Sequence, residues 1–504
     1  MKILFIYPNA GSQLGFNYGL SHMSAVLKKY GHSVEIWQLC EDIAQLPEKK
    51  EFIAALKKSA PDIIGFSVVT NQWQYAAKLA KWARGTKVPL VCGGIHATVV
   101  PEEVLKSKLF EYVFIGECDE AFVDFVEKHA LRKDVKDLSN LGYLKGGKVI
   151  INPVRPLPDL NKLPFKDYES FDFQKIIDAK KGWVGLMASR GCPFSCTYCF
   201  NHFMVKKYRS DLKCSFKDLK YIRHFPVKKV IDEIVYLQKN YRNISMYIFD
   251  DDLFTFDKDY VLEFCREYKK VSKLPFVVNA HFGFFDEERA KALKDANCRI
   301  VKFGIESGSE RIRASVMNRH MGNEKIIESV NLVEKHGMHS SVFIMVGIPF
   351  EKKKDLMDTI TLLGKAKPGR FRWTYFFPYP GTEAYNLSVK GDFIDHEKMS
   401  KLVNFTDESC LDFGKEQNLL LSKIGRIMPW FVNACVGLGT SGFYREKVDE
   451  LLALSADEWA KRAPHILAED KEISKSFQEK NLSHYAVKYN PFMGVISDYF
   501  MNEK

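Results

Sequence analysis

Three of the eleven cysteines stand together, in the segment Ser189-Arg190-Gly191-Cys192-Pro193-Phe194-Ser195-Cys196-Thr197-Tyr198-Cys199-Phe200. Thiolates are the natural ligands of iron–sulfur clusters. A tight loop with Gly191 and Pro193 can wrap the sulfurs of Cys192, Cys196 and Cys199 around one four-iron cube. Three ligands for four irons leave one iron open. An open iron can chelate the amino and carboxylate groups of an amino acid. One electron from the cluster can then break a sulfonium carbon–sulfur bond. The competing reading is a structural zinc site, in which His202 would supply the fourth ligand.

Four other segments carry groups that could serve such a centre. Phe249-Asp250-Asp251-Asp252-Leu253-Phe254 offers carboxylates, which suit an ammonium group. Aspartates also cap helix N-termini, so this run has a purely structural reading too. Gly304-Ile305-Glu306-Ser307-Gly308-Ser309 offers an acid of the kind that binds ribose hydroxyls, or one that simply pairs with a helix terminus. Arg319 follows and could meet a carboxylate or lie on the surface. Gly347-Ile348-Pro349 and Phe377-Pro378-Tyr379-Pro380-Gly381-Thr382 read as turns when taken alone.

The elements expected to position these groups alternate between strand and helix patterns. From 181 to about 385, strands are expected at Trp183–Ala188, Ser245–Phe249, Phe276–His281, Ile300–Ile305, Ser341–Val346 and Arg372–Phe377. Six strands with intervening helices imply a parallel array curled into a partial (βα)6 barrel of the TIM type, with chemistry at the carboxyl ends of the strands. Every segment singled out above falls at such an end.

Residues 1–130 show the same alternation, with strands expected at Ile3–Pro8, Ser33–Leu39, Asp62–Val69, Pro89–Cys92 and Tyr112–Gly116. Helices are expected at Tyr18–Lys29 and Trp73–Arg84. The pattern predicts an open, Rossmann-like parallel sheet whose ligand binds beyond the strand ends. Gly93-Gly94 and Gly116 stand there. Residues 131–180 read as a connector, with a hairpin turn at Gly146-Gly147 and prolines at 153, 156, 158 and 164 that favour an extended path. Residues 386–504 read as mostly helical and carry no legible motif.

The cysteine segment resembles the radical S-adenosylmethionine superfamily, whose motif is C-x3-C-x-aromatic-C. The resemblance covers roughly residues 183–385. It implies that Cys192, Cys196 and Cys199 hold a 4Fe–4S cluster, with S-adenosylmethionine reductively cleaved to a 5′-deoxyadenosyl radical. It implies that Tyr198 packs near the adenine and that Asp251 and Asp252 bind the methionine amino group. Glu306 and Ser307 would lie beside the ribose or methionine, and Arg319 beside the carboxylate. Gly347 and Pro349 would stand on the adenine side. A one-electron donor such as flavodoxin or ferredoxin is the implied partner.

The order of an open sheet followed by this barrel resembles the cobalamin-binding branch of that superfamily. The matching residues are Ser67, Cys92-Gly93-Gly94-Ile95-His96-Ala97-Thr98, Pro101-Glu102-Glu103 and Gly116-Glu117. Small residues at Ser67, Gly93, Gly94 and Gly116 would let the nucleotide tail of cobalamin slide against the strand ends. Two departures matter. Families that ligate cobalt with histidine have D-x-H-x-x-G after the first strand, where this chain has Pro8-Asn9-Ala10-Gly11-Ser12-Gln13-Leu14-Gly15. Cys118 replaces a glycine of the G-E-G-E segment. His22 falls in a helical pattern and reads as a helix residue. His96 reads equally as a functional loop residue or a capping one.

The bulk numbers agree with an ordinary soluble globular protein. Apolar residues make up 46% and charged residues 27% of 504. The formal charge of +11 is spread over amphipathic helices, so no nucleic-acid partner is expected. No run reaches the ~18 apolar residues of a membrane span. Met1-Lys2 leads straight into a strand pattern without an export signal, so a cytoplasmic location with reduced thiols is expected. The resemblance implies a cobalamin-dependent C-methyltransferase acting on an unactivated carbon of a small molecule or biosynthetic intermediate. The alternative is a rearranging, cyclising or oxidising radical enzyme built from the same parts. A methylthiotransferase would need ligand cysteines in the first sheet, and Cys40, Cys92 and Cys118 lack that context. An iron–sulfur or corrinoid carrier would need no barrel.

Overall fold

The computed structural model describes residues 1–402, 406–488 and 498–501. The chain forms two compact units. The first comprises Met1–Pro193, Cys199–Ser245 and Tyr379–Thr382; the second comprises Phe194–Tyr198, Met246–Pro378 and Glu383–Lys504.

The first unit is built on strands β1 (Lys2–Pro8), β2 (Ser33–Leu39), β3 (Ile63–Ser67), β4 (Leu90–Gly93), β5 (Tyr112–Phe114), β6 (Leu141–Lys145) and β7 (Lys148–Ile151). The sheet order is β2-β1-β3-β4-β5-β6-β7. β1 to β5 are parallel, and β6 and β7 add an antiparallel hairpin. Ile3, Leu4, Phe5 and Ile6 are at most 2% exposed. A strand buried on both faces is what helices covering both sides of a parallel sheet produce. The strand order reverses between β1 and β3, and such a reversal splays the following loops and opens a crevice. The expected hairpin around Gly146-Gly147 is present, and it extends the sheet to Ile151. The unit continues with β8 (Trp183–Leu186), β9 (Ser189–Arg190), β10 (Arg223–His224) and the helices Phe200–Leu212 and Val227–Asn240.

The second unit carries β11 (Met246–Phe249), β12 (Phe276–Ala280), β13 (Cys298–Glu306), β14 (His339–Val346) and β15 (Arg370–Tyr375) as consecutive parallel neighbours. Amphipathic helices such as Lys258–Val271 and Asn323–Lys335 bury one face against this sheet, as βαβ connections require. These strands supply the half-barrel. The C-terminal region is helical, as expected, with one addition. β16 (Tyr485–Val487) and β17 (Asp498–Met501) pair antiparallel on the edge of β15. Tyr499 stacks on Trp373 at 4.2 Å between ring centroids. No helix among the described residues is long and apolar enough to cross a membrane.

Candidate active site at the half-barrel strand ends

The middle of the cysteine loop is sewn to the segment that follows β13. The Thr197 amide donates to the Met317 carbonyl at 3.1 Å, and its hydroxyl to the Val316 carbonyl at 2.6 Å. The Asn318 amide donates to the Ser195 carbonyl at 2.9 Å. These bonds carry Arg319 to Cys196, a residue 123 positions earlier. Its Nη1 lies 3.5 Å from Cys196 Sγ and 3.2 Å from the Tyr198 hydroxyl, and Nη2 donates to the Gly304 carbonyl at 2.6 Å. Arg319 Nε is buried without a partner.

Glu306 completes this group. The ladder between β13 and β14 shifts register between Gly304 and Glu306, and Glu306 adopts a left-handed φ of +67°. Non-glycine residues reach that conformation only when their surroundings compel it, and such strain gathers at functional sites. Desolvation raises the Glu306 carboxyl above its ordinary range, although Arg319 and a hydrogen bond from Tyr198 oppose the shift. Cys196, Tyr198, Glu306 and Arg319 therefore converge, as the sequence motifs anticipate.

The outer cysteines, Cys192 and Cys199, are half-buried, and Cys199 caps the helix Phe200–Leu212. The Asn201 amide lies 3.8 Å from Cys199 Sγ. Among the described residues, no three His, Cys, Asp or Glu side chains gather around one point as ligands of a single ion.

Other expected residues lie elsewhere in the packing. Ser307 is fully buried: its hydroxyl accepts from the Ser309 amide at 3.2 Å and sits 3.5 Å from Thr359 Oγ1. It faces the helix Lys353–Ala366, because a side chain at Gly308 would strike Thr359 and the turn must press against that helix. Asp251 is also fully buried, and its carbonyl accepts from Asn279 Nδ2 at 2.7 Å, while Asp252 is exposed. The capping reading of this run is corrected: the next helix starts at Lys258, and Asp257 caps it by accepting from the Tyr260 amide.

His281, at the carboxyl end of β12, was not among the expected groups. Its ring stacks on Phe194 of the cysteine loop at 4.0 Å, and burial followed by the charge of Arg319 pushes its pKa down to about 3. Its Nδ1 accepts from the Gly283 amide, which places the proton of the neutral ring on Nε2. Position at the end of a barrel strand was the one available signal.

Gly347 has a φ of +73°, and both it and Pro349 are buried. The loop is held by Glu351, whose Oε2 accepts from the Gly347 amide at 2.7 Å and the Ile348 amide at 3.3 Å, while Oε1 has no partner. Burial pushes the Glu351 carboxyl up to about 8. Its favourable contribution is complete below the unfolded value and is lost as pH rises towards 8. Glu351→Gln removes that dependence. The stability gap between variant and wild type should shift in favour of the variant by on the order of 3 kcal/mol between pH 5 and 8. Thermal unfolding of both proteins across that range checks it; parallel curves would refute it.

At the ends of the first unit's strands, Asn17 Nδ2 donates to Ser67 Oγ at 3.2 Å. Gln72 and Asn71 pin the loop after β1 through the Ala10 carbonyl at 2.7 Å and Ser12 Oγ at 3.1 Å. Gly94 has a φ of +91°, and a Cβ there would meet the Val68 backbone at 2.7 Å. Gly116 has a φ of +76°, and its Cβ would strike the Tyr208 hydroxyl. Gly93 is extended and half-buried. The polar atoms Thr70 Oγ1 and both ring nitrogens of His96 are buried here without partners. Burial alone pushes the His96 pKa down to about 4. His22 is 2% exposed and lies flat against Phe225, so it is a packed helix residue, as its pattern suggested.

Residues 186–363 match the model of the Radical SAM superfamily, and residues 12–126 that of the B12 binding domain. An uncharacterized methyltransferase, PH0819, of Pyrococcus horikoshii is 27% identical over 81% of this chain and 89% of its own length. The anaerobic magnesium-protoporphyrin IX monomethyl ester cyclase of Rubrivivax gelatinosus is 23% identical over 84% of this chain and 77% of its own. In fold, the chain resembles the radical S-adenosylmethionine methyltransferase TsrM of Kitasatospora setae, solved with cobalamin and a [4Fe-4S] cluster. The TM-score is 0.63 at 16% identity, covering 77% of this chain and 78% of that one. With a B12-binding sheet ahead of a radical half-barrel, this chain belongs to the cobalamin-binding radical S-adenosylmethionine enzymes, which use a 4Fe–4S cluster, S-adenosylmethionine and cobalamin.

Proposed function

We propose that this enzyme methylates an unactivated carbon of a small-molecule substrate. The observation that carries the reading is the convergence of Cys196, Tyr198, Glu306 and Arg319 at the strand ends of the half-barrel, in a chain that also has a cobalamin-type sheet.

Cys192, Cys196 and Cys199 would hold the cluster. The donor set fits: three thiols on one loop, with N–H groups of Arg319 and Asn201 near two of the sulfurs, as iron–sulfur thiolates favour. Glu306 and Arg319 would bind the polar groups of S-adenosylmethionine, and Tyr198 would pack beside its adenine. Asp251, Asp252, Gly347 and Pro349 would border that site. For cobalamin, Ser67, Gly93, Gly94 and Gly116 would line the strand ends. The carboxamide arms of a corrin are suited to the unpartnered Thr70 hydroxyl and His96 ring. The cluster supplies the electron that cleaves S-adenosylmethionine to a 5′-deoxyadenosyl radical, and cobalamin supplies a methyl carrier. The chain's own work is placement and exclusion of water. The charge of Arg319 opposes the desolvation of the Glu306 carboxyl, and the two groups could be turned to an ammonium and a carboxylate of the ligand. A one-electron donor such as flavodoxin or ferredoxin is the proposed partner.

Likeness to a cyclase favours a second reading, in which the same radical rearranges, cyclises or oxidises the substrate without methyl transfer. Deuteromethyl S-adenosylmethionine separates the two. Methylation predicts a labelled product, with 5′-deoxyadenosine and S-adenosylhomocysteine in about equal amounts. Deoxyadenosine with an unlabelled product would overturn the methyltransferase reading, and no deoxyadenosine at all would leave only a carrier.

A further inference from the structure

The turn after β5 holds a buried charge network that the cofactor chemistry does not use. Glu117 Oε2 accepts from Arg190 Nη1 at 2.5 Å, and Oε1 accepts from Arg223 Nη2. The three side chains are 12–18% exposed. Asp119 stands 3.4 Å from the same Arg190 nitrogen. Burial opposes the charge of Glu117, yet the two guanidiniums outweigh it and keep its carboxyl below the ordinary range.

The partners of this turn flank the cysteine loop on both sides. Arg190 ends β9, two residues before Cys192, and β9 pairs antiparallel with β10, which carries Arg223. Arg223 is itself fixed by the Pro158 carbonyl at 2.8 Å. Between Arg190 and Cys192, Gly191 has a φ of +93° and presses on the Tyr221 carbonyl so closely that a Cβ would not fit. On the other side, Cys199 caps the helix Phe200–Leu212, and Tyr208 on that helix accepts the Glu117 amide proton at 2.9 Å. Gly116 has no side chain because the Tyr208 hydroxyl occupies the space. One turn thus grips the strand entering the loop and the helix leaving it.

We propose that the Gly116–Glu117 turn is a positioning device for the cluster: Glu117, through Arg190 and Arg223, and the Glu117 amide, through Tyr208, set the placement of Cys192 and Cys199. Glu117 is a positioning residue and touches no reacting atom. The proposal rests on the assignment of these cysteines to the cluster. It also gives the Gly-Glu pair of the first sheet a task separate from holding cobalamin.

The test uses reconstituted full-length protein, reduced, with S-adenosylmethionine as the only added ligand. Groups that orient metal ligands typically cost 10–100-fold when removed. Glu117→Ala should therefore lower formation of 5′-deoxyadenosine by about 10–100-fold. It should also broaden or shift the electron-resonance signal of the reduced cluster, while circular dichroism stays that of the wild type. Glu117→Gln, which keeps an acceptor but no charge, should fall between. Tyr208→Phe should alter the same signal through Cys199. If Glu117→Ala does not fold, Glu117→Gln and Tyr208→Phe decide on the same two readouts. Folded variants with wild-type signal and rate overturn the positioning role. A wild-type protein that takes up no cluster would instead overturn the cysteine assignment.

Discussion

Alanine at Cys192, Cys196 and Cys199 together yields a protein without the brown colour of the cluster, which produces no 5′-deoxyadenosine from S-adenosylmethionine and reductant. The loss should be complete, because Cys214, Cys265, Cys298, Cys410 and Cys435 stand singly along the chain, without ligand spacing. Ligation requires thiolate, and burial also disfavours it at several of these: the Cys265 thiol is pushed up to about 12 and that of Cys410 to about 11. Cys298 is raised further still by burial and by the neighbouring Cys265. The missing ligand spacing of these cysteines limits the wild type to one expected cluster of about four irons per chain. Iron and sulfide analysis beside the visible spectrum measures both. A triple variant that keeps about four irons would sink the assignment, and a wild type with seven or eight would show a second cluster.

Glu306→Ala should weaken binding of S-adenosylmethionine by about 30-fold or more. Truncating one partner of a buried, hydrogen-bonded charge pair costs about 2–5 kcal/mol, and tenfold in affinity corresponds to about 1.4 kcal/mol. Glu306 would make such a pair with a charged group of S-adenosylmethionine. The Glu306 carboxyl is desolvated, bonded to Tyr198 and faced by Arg319, whose Nη2 is already committed to the Gly304 carbonyl. Without the carboxylate, the Arg319 charge is left to Cys196, Tyr198 and the Gly304 carbonyl, and the ligand loses a partner. Glu306→Gln preserves shape and should lose less. Calorimetric titration of the cluster-loaded protein reads the effect. Affinity within about threefold of the wild type in Glu306→Ala would remove Glu306 from the site.

Much of the frame was legible in the chain. The helix Tyr18–Lys29 and the strand Ser33–Leu39 appear with the bounds their periodicity predicts, and the other strands shift by a few residues. Apolar runs closed by glycine or proline are local signals, and a strand end needs only local information. The half-barrel strand ends therefore carry the motifs where the pattern expected them. The cysteine spacing, which is also local, carried the resemblance that implied the cluster chemistry.

The sequence by itself determined the elements, their order and the residue types of the centre. The tertiary structure decided which side chains meet. It spent Ser307 on Thr359, turned Asp251 inward and left Asp252 in solvent. It placed His281 on Phe194 and returned β16 and β17 to the edge of β15. It also set Glu117 against Arg190, 73 positions later, and Arg319 against Cys196, 123 positions earlier. Periodicity records which face of an element is buried, because every third or fourth residue of a helix and every second of a strand shares one environment. Pairing across a hundred residues has no period. It follows from how whole elements pack and from the cost of leaving a buried charge unpaired, and both are settled only when the chain is folded.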